Sequence, residues 1–589
     1  MEKTLFILSH YVQLLVFALS CAGVGAWLVR FAGAPDGGDR MLRACLSTCA
    51  GMGVLIVALQ ALGVLGLLTA TSVRVLLVPG LILFFASLLR PSQFGEPDGH
   101  LGMERNASSG KAAWFHVALA LVLAVELFLR PLTPPTAWDE LMYHLPHARE
   151  WAASGALQVN EFLRFPLFPY NFNLLYAGSL AVSDDILPHM LHALAGMLVA
   201  VGLYRVAASR FNRAIASVAV LLFIAATRIE FGNAYVDLGL TAFLFFGLVC
   251  LLSWYETDRL GALYLAAFLF GVAAGIKHQA LVFAPFVLAA VLWRERRPAR
   301  LACFAILFAT PCAYWYVRSF LVSGDPLHPL GAAVFGYWHW GPQDTANVIA
   351  DIKRVYGWPS ASLLPALVAV VYRHRMPSLA FRATLAFSAY AFVAWMLTSH
   401  YPRYLLPAYP ALCLLSAIVL CDAAAKFVQM SGIGWAIQQK GYRRQASAWL
   451  KGAFIVGLGA VAVSDAMRQW RNIHPSEQGR AAFLRERIQS YEIAEFLQTA
   501  PGYRLVQIGL ESDMYYLPSG TQGDVFGTAR YSDLLGLTPA ELAAKVRSLG
   551  ANALLVSARE AAGVTRHEDF GTYFHPVKKS AGAELYRIR

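Results

Sequence analysis

The segment PLTPPTAWDELMYHLPHAREW, residues 131–151, begins where an apolar run of the sequence ends. It brings the adjacent carboxylates of Asp139 and Glu140 together with a third acid, two histidines and an arginine. A carboxylate is costly to place in hydrocarbon, so in a membrane protein such a pair must lie at the interface or in a wet cavity inside the bundle. The pair is therefore the first candidate for a functional site.

The composition of the rest of the chain is typical of a membrane protein. Of its 589 residues, 58% are hydrophobic and 14% are charged, and the mean hydropathy is +0.51. Soluble domains carry about 25% charged residues. Apolar runs of roughly 16 to 25 residues, long enough to cross about 30 Å of hydrocarbon, recur from Leu5 to about Asp465. The sequence predicts a polytopic all-α membrane bundle with about fourteen transmembrane helices.

The distribution of basic residues predicts the orientation. One set of alternate loops carries about twice as many lysines and arginines as the other, and positively charged loops stay in the cytoplasm. With fourteen spans, this places the loops 131–186 and 318–359 and everything after residue 467 outside. We expect a multi-pass protein of the bacterial inner membrane whose C-terminal domain lies on the periplasmic side. The net charge of +12 mostly reflects this loop bias, so it gives little support to a nucleic-acid partner.

Residues 467–589 have the composition of a soluble domain. The stretch SYEIAEFLQTAPG (490–502) predicts an amphipathic helix, and YRLVQIGL (503–510) predicts a buried strand. TPAELAAKVRSLGA (538–551) and NALLVS (552–557) repeat the pattern. Two helix–strand units predict a small extracytoplasmic α/β domain, and it contains no glycine-rich phosphate loop.

Polar side chains recur at the outer ends of the predicted spans, and all of them fall on one side of the membrane. Besides the acid pair, they are Asn171, Asp237, Lys277, His278, Arg318, His400 and Arg403. We expect them to meet in one pocket.

The acid segment by itself also allows a metal site. Glu140, His144 and His147 have the spacing i, i+4, i+7, which on one continuous helix would place them on one face, as in a zinc hydrolase. Pro146 argues against a helix that runs through all three, because proline interrupts a helix interior. We expect instead a turn followed by a short helix, with Leu145 and Trp151 toward lipid.

Three features of the sequence resemble the lipid-linked-sugar glycosyltransferases of the GT-C fold, and among them the protein O-mannosyltransferase and aminoarabinose-transferase group. They are the Asp-Glu pair in the first large external loop, the entry FPLFPYNFNLLYA (165–177) and the late motif RYLLPAYP (403–410). The resemblance covers roughly residues 113–425. It departs from the family pattern in having about three extra spans before the Asp-Glu loop.

The resemblance implies a division of the chain. Residues 1–112 would form extra N-terminal helices, residues 113–466 the catalytic membrane module, and residues 467–589 the extracytoplasmic domain.

The resemblance also implies a reaction. The donor would be a sugar on a polyprenyl phosphate, and the acceptor a glycolipid, a glycan or a protein. Asp139 would take the proton from the acceptor hydroxyl in an inverting displacement, and Glu140 would orient the acceptor or hold Asp139 in place. The leaving phosphate needs charge stabilisation more than protonation, and the available cations are Arg403, Lys277 and Arg318.

The remaining members of the predicted pocket would contact the substrates. They are Tyr143, His144, His147, Asn171, Asp237, His278, His400 and Tyr404. Besides the donor and acceptor, we expect contacts with membrane lipids. No cofactor is required by this scheme, and a divalent metal is allowed but not indicated, because the carboxylates are few.

Two other classes of protein stay open. A secondary transporter or lipid flippase would also gather polar groups in a bundle, but it should show broken helices near the bilayer midplane and two related halves. A surface-glycan polymerase or ligase shares much of the chemistry, and an external loop dominated by arginine would favour it.

Overall fold

The computed structural model describes residues 1–33, 39–89, 127–354, 357–374, 376, 378–430, 460 and 462–589. The predicted spans 113–130 and 450–466 fall mostly outside these residues. The described part is a helical membrane bundle followed by a small domain with a sheet, so the predicted fold class is confirmed.

Sixteen α-helices of the bundle lie within the described residues. They are α1 (Glu2–Phe31), α2 (Arg40–Val64), α3 (Ala70–Leu89), α4 (Leu145–Ser154), α5 (Asn171–Val182), α6 (Ile186–Arg210), α7 (Arg213–Thr227), α8 (Asp237–Thr257), α9 (Leu260–Ala274), α10 (Ala284–Arg294), α11 (Pro298–Ala309), α12 (Ala313–Ser323), α13 (Ala332–Phe335), α14 (Pro342–Lys353), α15 (Leu379–Thr398) and α16 (Tyr409–Met430). Five 3₁₀ segments lie between them, at Arg130–Leu132, Arg228–Gly232, His278–Val282, Ala361–His374 and Pro402–Ala408.

Within the described residues, eight helical segments are long and apolar enough to cross a membrane. A ninth candidate is the pair α11 and α12, which bends by 67° at the residues between them. Pro311 lies at this break, and proline removes a helical hydrogen bond. The helices α9 and α10 and the segment Ala361–Arg373 are apolar but shorter. The predicted number of about fourteen therefore stays a prediction.

Glycines allow the first three helices to pack closely, backbone against backbone. A Cβ atom at Gly51 of α2 would lie 1.8 Å from the carbonyl oxygen of Cys21 in α1, and one at Gly80 of α3 would lie 2.3 Å from that of Ser20. Small residues permit this approach where lipid supplies no hydrophobic driving force between helices.

The acid segment forms a wide turn and then a short helix. Glu140–His144 is a π-helical turn that leads into α4, and α4 ends at Gly155, which has a left-handed φ of 73°. The predicted turn and short helix are thus confirmed. The predicted lipid exposure is wrong, because Leu145 and Trp151 are both buried. Trp151 packs edge-on against Tyr170, so the helix is covered by the segment that follows it.

The C-terminal domain is a four-stranded sheet with helices. Its helices are α17 (Glu477–Arg485), α18 (Tyr491–Thr499), α19 (Pro539–Ser548), α20 (Ala558–Thr565) and α21 (Phe570–Tyr573), and its strands are β1 (Leu505–Ile508), β2 (Ala553–Ser557), β3 (Phe574–Lys579) and β4 (Ala583–Ile588). The strand order is β1-β2-β4-β3, in which β1 and β2 are parallel and the other two pairs antiparallel. The two predicted helix–strand units are α18–β1 and α19–β2.

This domain is docked on the acid segment. The backbone N–H of Tyr515 donates to the carbonyl of Leu141 at 2.9 Å, and the Tyr516 hydroxyl donates to the carbonyl of Pro135 at 2.7 Å. The Leu141 side chain packs in a cluster with Phe483 and Leu484 of α17. The domain and the loop that carries Asp139 therefore lie on the same side of the bundle.

Candidate active site

Asp139 forms an ion pair with Arg403 across 264 positions of sequence. Arg403 lies in the 3₁₀ segment Pro402–Ala408, whose two prolines restrict the backbone. Its guanidinium also lies over the ring of Tyr235, with 4.3 Å from Cζ to the ring centroid. The cation that was predicted to serve the site is thus in direct contact with the predicted base.

Asp237 and Lys277 complete a cluster of four charges. Asp237 Oδ2 lies 3.6 Å from Arg403 Nε, and Asp237 Oδ1 accepts a hydrogen bond from Lys277 Nζ at 3.3 Å. Asp237 is the first residue of α8, where the helix dipole favours a carboxylate. We call Asp139, Arg403, Asp237 and Lys277 the charge cluster; it contains two carboxylates and two cations.

Asp139 is ionised in this setting. Burial raises the pKa of its carboxyl, but the charge of the Arg403 guanidinium and the hydrogen bond that it donates outweigh burial and lower the pKa to about 2. In the resting protein Asp139 is therefore a carboxylate bound to Arg403.

Glu140 holds the backbone around the cluster. Its Oε1 accepts hydrogen bonds from the backbone N–H groups of Thr136 and Ala137, both at 2.6 Å. Its Oε2 accepts from the N–H of Ala234 at 2.6 Å and lies 2.9 Å from His189 Nε2. The side chain is fully buried, and these partners use both oxygens. The geometry therefore favours the second predicted role of Glu140, holding Asp139 in place, over contact with an acceptor.

Three other predicted residues lie beside the charge cluster. Lys277 Nζ lies 4.7 Å from the ring centroid of Tyr404. The His144 carbonyl accepts a hydrogen bond from Asn173 Nδ2 at 2.9 Å, and burial lowers the pKa of His144 to about 3, so its ring is neutral. Tyr143 packs against Phe165, with 5.2 Å between the ring centroids.

Three predicted residues have their side chains directed to other partners. Asn171 donates hydrogen bonds to the carbonyls of Val272 and Pro311 at 3.0 and 2.9 Å. The second bond pairs a carbonyl at the break between α11 and α12. His147 Nε2 lies 3.1 Å from the carbonyl oxygen of Arg164. His400 Nε2 lies 2.9 Å from the carbonyl oxygen of Met396. These contacts give the three residues structural roles.

Arg318 and His278 belong to a neighbouring group. Arg318 Nη2 donates to the carbonyls of Pro166 and Phe168 at 3.3 and 3.4 Å, and His278 packs against the ring of Phe168 at 4.7 Å. Neither residue forms an ion pair with Asp139 or Asp237 among the residues that the structure describes. The predicted pocket is thus divided into two groups of polar side chains.

The three residues with metal-ligand spacing do not converge. Glu140, His144 and His147 each contact a different partner, as described above. No group of three or more histidine, cysteine, aspartate or glutamate side chains within the described ranges is placed to hold a metal ion.

The sequence pattern did not reveal several residues of the site. His189 and His192 of α6 belong to an otherwise apolar span; His192 Nε2 accepts from the N–H of Leu238 at 3.0 Å and so caps the start of α8. Two histidines three positions apart in a membrane span were the available signal, because polar groups in spans are costly. Tyr235 and Asn173 gave no comparable signal.

Residues 174–315 match the family model of the dolichyl-phosphate-mannose-protein mannosyltransferases. The match confirms the resemblance predicted from the sequence and, at the level of class, the prediction of a membrane glycosyltransferase of the GT-C type. The matched region contains Asp237 and Lys277, and Asp139 and Arg403 lie on either side of it.

Two proteins of Shigella flexneri are also similar in sequence. The uncharacterized protein SF2093/S2215 is 34% identical over 133 residues, which are 22% of this chain and 66% of that protein. The uncharacterized protein SF2092/S2214 is 46% identical over 41 residues, 7% of this chain and 22% of that protein. The chain thus spans less than two thirds of the length of either relative. Residues 479–587 match the family model SF2091/S2213.

Two solved structures show a partial similarity to this chain. ArnT from Cupriavidus metallidurans bound to undecaprenyl phosphate has a TM-score of 0.48 and 15% identity, over 82% of this chain and 98% of that chain. The archaeal oligosaccharyltransferase AglB from Archaeoglobus fulgidus, in complex with an inhibitory peptide and a dolichol-phosphate, has a TM-score of 0.46 and 13% identity, over 82% and 75%.

Proposed function

We propose that the protein transfers a sugar from a polyprenyl-phosphate donor to a hydroxyl group of an extracytoplasmic acceptor, with inversion at the anomeric carbon and with Asp139 as the base. The observation that carries the proposal is the charge cluster. It joins a carboxylate of the external loop to two cations that come from distant parts of the sequence. A glycosyl transfer from a lipid phosphate needs these two kinds of group side by side.

In the proposed step, the acceptor oxygen attacks the anomeric carbon from the face opposite the phosphate. The new bond between the acceptor oxygen and carbon forms, the bond between carbon and phosphate oxygen breaks, and the electron pair leaves with the polyprenyl phosphate. Asp139 takes the acceptor proton. Arg403 and Lys277 face the departing phosphate, whose oxygens suit the planar fork of arginine.

The ion pair between Asp139 and Arg403 gives this scheme an order of events. A carboxylate with a pKa of about 2 is a weak base while Arg403 holds it. A donor phosphate competes for the same guanidinium, and when Arg403 turns to it, the pKa of Asp139 rises toward its ordinary value. Donor binding would therefore prepare the base.

We place the reaction on the periplasmic side of a bacterial inner membrane. The support is the excess of basic residues in the opposite set of loops, together with the docking of the C-terminal domain on the acid segment. By the same argument, the acceptor is a glycolipid, a glycan or a protein that reaches this side.

The test is transfer by the purified protein from a panel of polyprenyl-phosphate sugars. Asp139→Asn should lower turnover by several orders of magnitude, since the base that takes the acceptor proton is lost. Asp524→Asn is the matched control, because Asp524 also pairs with an arginine, Arg164, away from the charge cluster. It should keep near-normal turnover. Near-normal turnover of Asp139→Asn would remove Asp139 as the base.

A lipid flippase or transporter is the second candidate, favoured by the bend of 67° between α11 and α12. Counterflow of a lipid-linked sugar in sealed liposomes, without covalent product, would support it. Covalent product that depends on Asp139 would support the transferase.

A further inference from the structure

Three basic side chains outside the charge cluster are buried and carry nitrogen atoms that have no hydrogen-bond partner in the described part of the chain. Arg318, His278 and His328 are 8%, 8% and 1% exposed. Nε and Nη1 of Arg318 and both ring nitrogens of each histidine have no hydrogen-bond partner among the described residues. Buried polar atoms are nearly always paired, so a group of them is a sign of a missing ligand.

The backbone directs the side chain of His278 away from the charge cluster. Lys277 has an extended conformation, with φ of −160° and ψ of 141°, and successive side chains of an extended chain point to opposite sides. Lys277 therefore reaches Asp237, while the next residue, His278, packs against Phe168 and Tyr316.

Arg318 joins this second group through the segment before α5. Its Nη2 donates to the Phe168 carbonyl, and its guanidinium lies over the Trp315 ring at 4.7 Å. His328 belongs to the loop between α12 and α13. Its ring packs edge-on against Trp340 at 5.9 Å, and Trp340 packs against Phe165 at 5.8 Å, which stacks on Phe168. Three separate segments thus supply one residue each.

The charge of this group is not balanced. Among the residues that the structure describes, no carboxylate forms an ion pair with Arg318. Asp325, the acid nearest to His328 along the chain, accepts a hydrogen bond from the N–H of Leu327 on Oδ1 at 2.8 Å, and its Oδ2 has no partner among the described residues. By contrast, the charge cluster holds two cations against two carboxylates. An anion can therefore bind Arg318 without breaking an ion pair, whereas at Arg403 it must first displace Asp139.

We propose that Arg318, His278 and His328 form a second anion site that binds a phosphate group. A phosphate directs its oxygens tetrahedrally, which suits donors that come from three separate segments, and its negative charge suits the guanidinium of Arg318. A metal ion is disfavoured there by the arginine charge. The proposal adds to the proposed function without depending on it, because binding can be measured without turnover.

Rings connect the second site to the charge cluster. Tyr143 packs on Phe165, Phe165 stacks on Phe168 at 4.2 Å, and Phe168 packs on His278. A phosphate bound by Arg318 would thus lie beside an aromatic surface that suits a sugar or an isoprenoid chain.

The test is ligand-induced stabilisation of the full-length protein in detergent. The probes are inorganic phosphate and a polyisoprenyl monophosphate, each against sodium chloride of equal ionic strength. Wild-type protein should show a saturable rise of the apparent unfolding midpoint. Arg318→Gln should weaken the binding by about tenfold or more, which is the usual range for hydrogen bonds to a charged group.

Matched variants separate the second site from general effects. Arg294→Gln also removes an arginine stacked on aromatic rings, Trp254 and Tyr255, and it should bind like wild type. Asp139→Asn should also bind, even if it transfers no sugar. Should Arg318→Gln fail to fold, His328→Gln provides the same comparison.

The outcomes are distinct. Stabilisation by both probes that depends on Arg318 supports a site for phosphate as such. Stabilisation by the lipid probe alone, with the same dependence, supports the site and identifies a lipid-linked phosphate as its source. Absence of stabilisation, or stabilisation that Arg318→Gln leaves unchanged, overturns the proposal.

Discussion

The charge cluster makes the effects of its single substitutions unequal and non-additive. Arg403→Gln leaves the carboxylates of Asp139 and Asp237 facing Lys277 alone, a net charge of −1 among the members of the cluster. Asp139→Asn leaves Asp237 between both cations, a net charge of +1, and Arg403 keeps a carboxylate oxygen at 3.6 Å. The double variant restores neutrality with the pair of Asp237 and Lys277.

Magnitudes follow from these counts. Removing one partner of a buried ion pair costs about 3–5 kcal/mol, and we expect this loss for Arg403→Gln. Asp139→Asn should cost less, about 1–3 kcal/mol, because Arg403 retains a partner. The double variant should lose less than the sum of the two single losses, with a coupling of about 1–3 kcal/mol between the two sites.

The assay is unfolding of the detergent-solubilised protein followed by tryptophan fluorescence, for wild type, both single variants and the double variant. Arg210→Gln and Glu256→Gln are the controls, since this pair lies near the surface with about 30% of each side chain exposed. Each should cost about 1 kcal/mol or less. A double variant that loses the sum of the two single losses, or an Arg403→Gln protein as stable as wild type, would refute the electrostatic argument.

Two further predictions concern the acid pair. The pKa of Asp139 is lowered to about 2, so its side chain is deprotonated at every pH well above that value. We therefore expect kcat/KM for transfer to stay constant from pH 8 down to about pH 4. A fall of kcat/KM to half its value between pH 7 and pH 5 would contradict the assignment of Asp139 as the base. Glu140→Gln offers one acceptor oxygen where four donors converge. The variant should have a lower unfolding midpoint and a lower kcat, while KM for the sugar donor stays near that of wild type. An unchanged unfolding midpoint would show that Glu140 does not hold the loop.

The sequence was sufficient to predict the membrane bundle, the small C-terminal domain and the contact between Asp139 and a cation. Apolar length and helix–strand alternation are local properties, so they can be recognised without a structure. The likeness of short motifs also pointed to Arg403, although it is 264 positions away. Placement at the same ends of spans was the physical basis of that prediction.

Other features depend on contacts that no local pattern records. Trp151 has the character of an interfacial residue, but the segment after α4 folds over it. The adjacent residues Lys277 and His278 face different groups only because the backbone between them is extended. The hydrogen bonds that occupy the Glu140 carboxylate come from backbone N–H groups of two loops, and backbone groups carry no sequence signature.

The docking of the C-terminal domain sets a condition on biogenesis. Pro135 and Tyr516 are 381 positions apart, so the turn that presents Asp139 is completed by a segment that is synthesised much later. A ribosome adds about 5–20 residues per second. A nascent protein whose membrane helices are inserted therefore lacks this support until the C-terminal domain has been synthesised. Premature termination before the C-terminal domain would yield a protein that still has its membrane helices but whose turn at Asp139 lacks these hydrogen bonds.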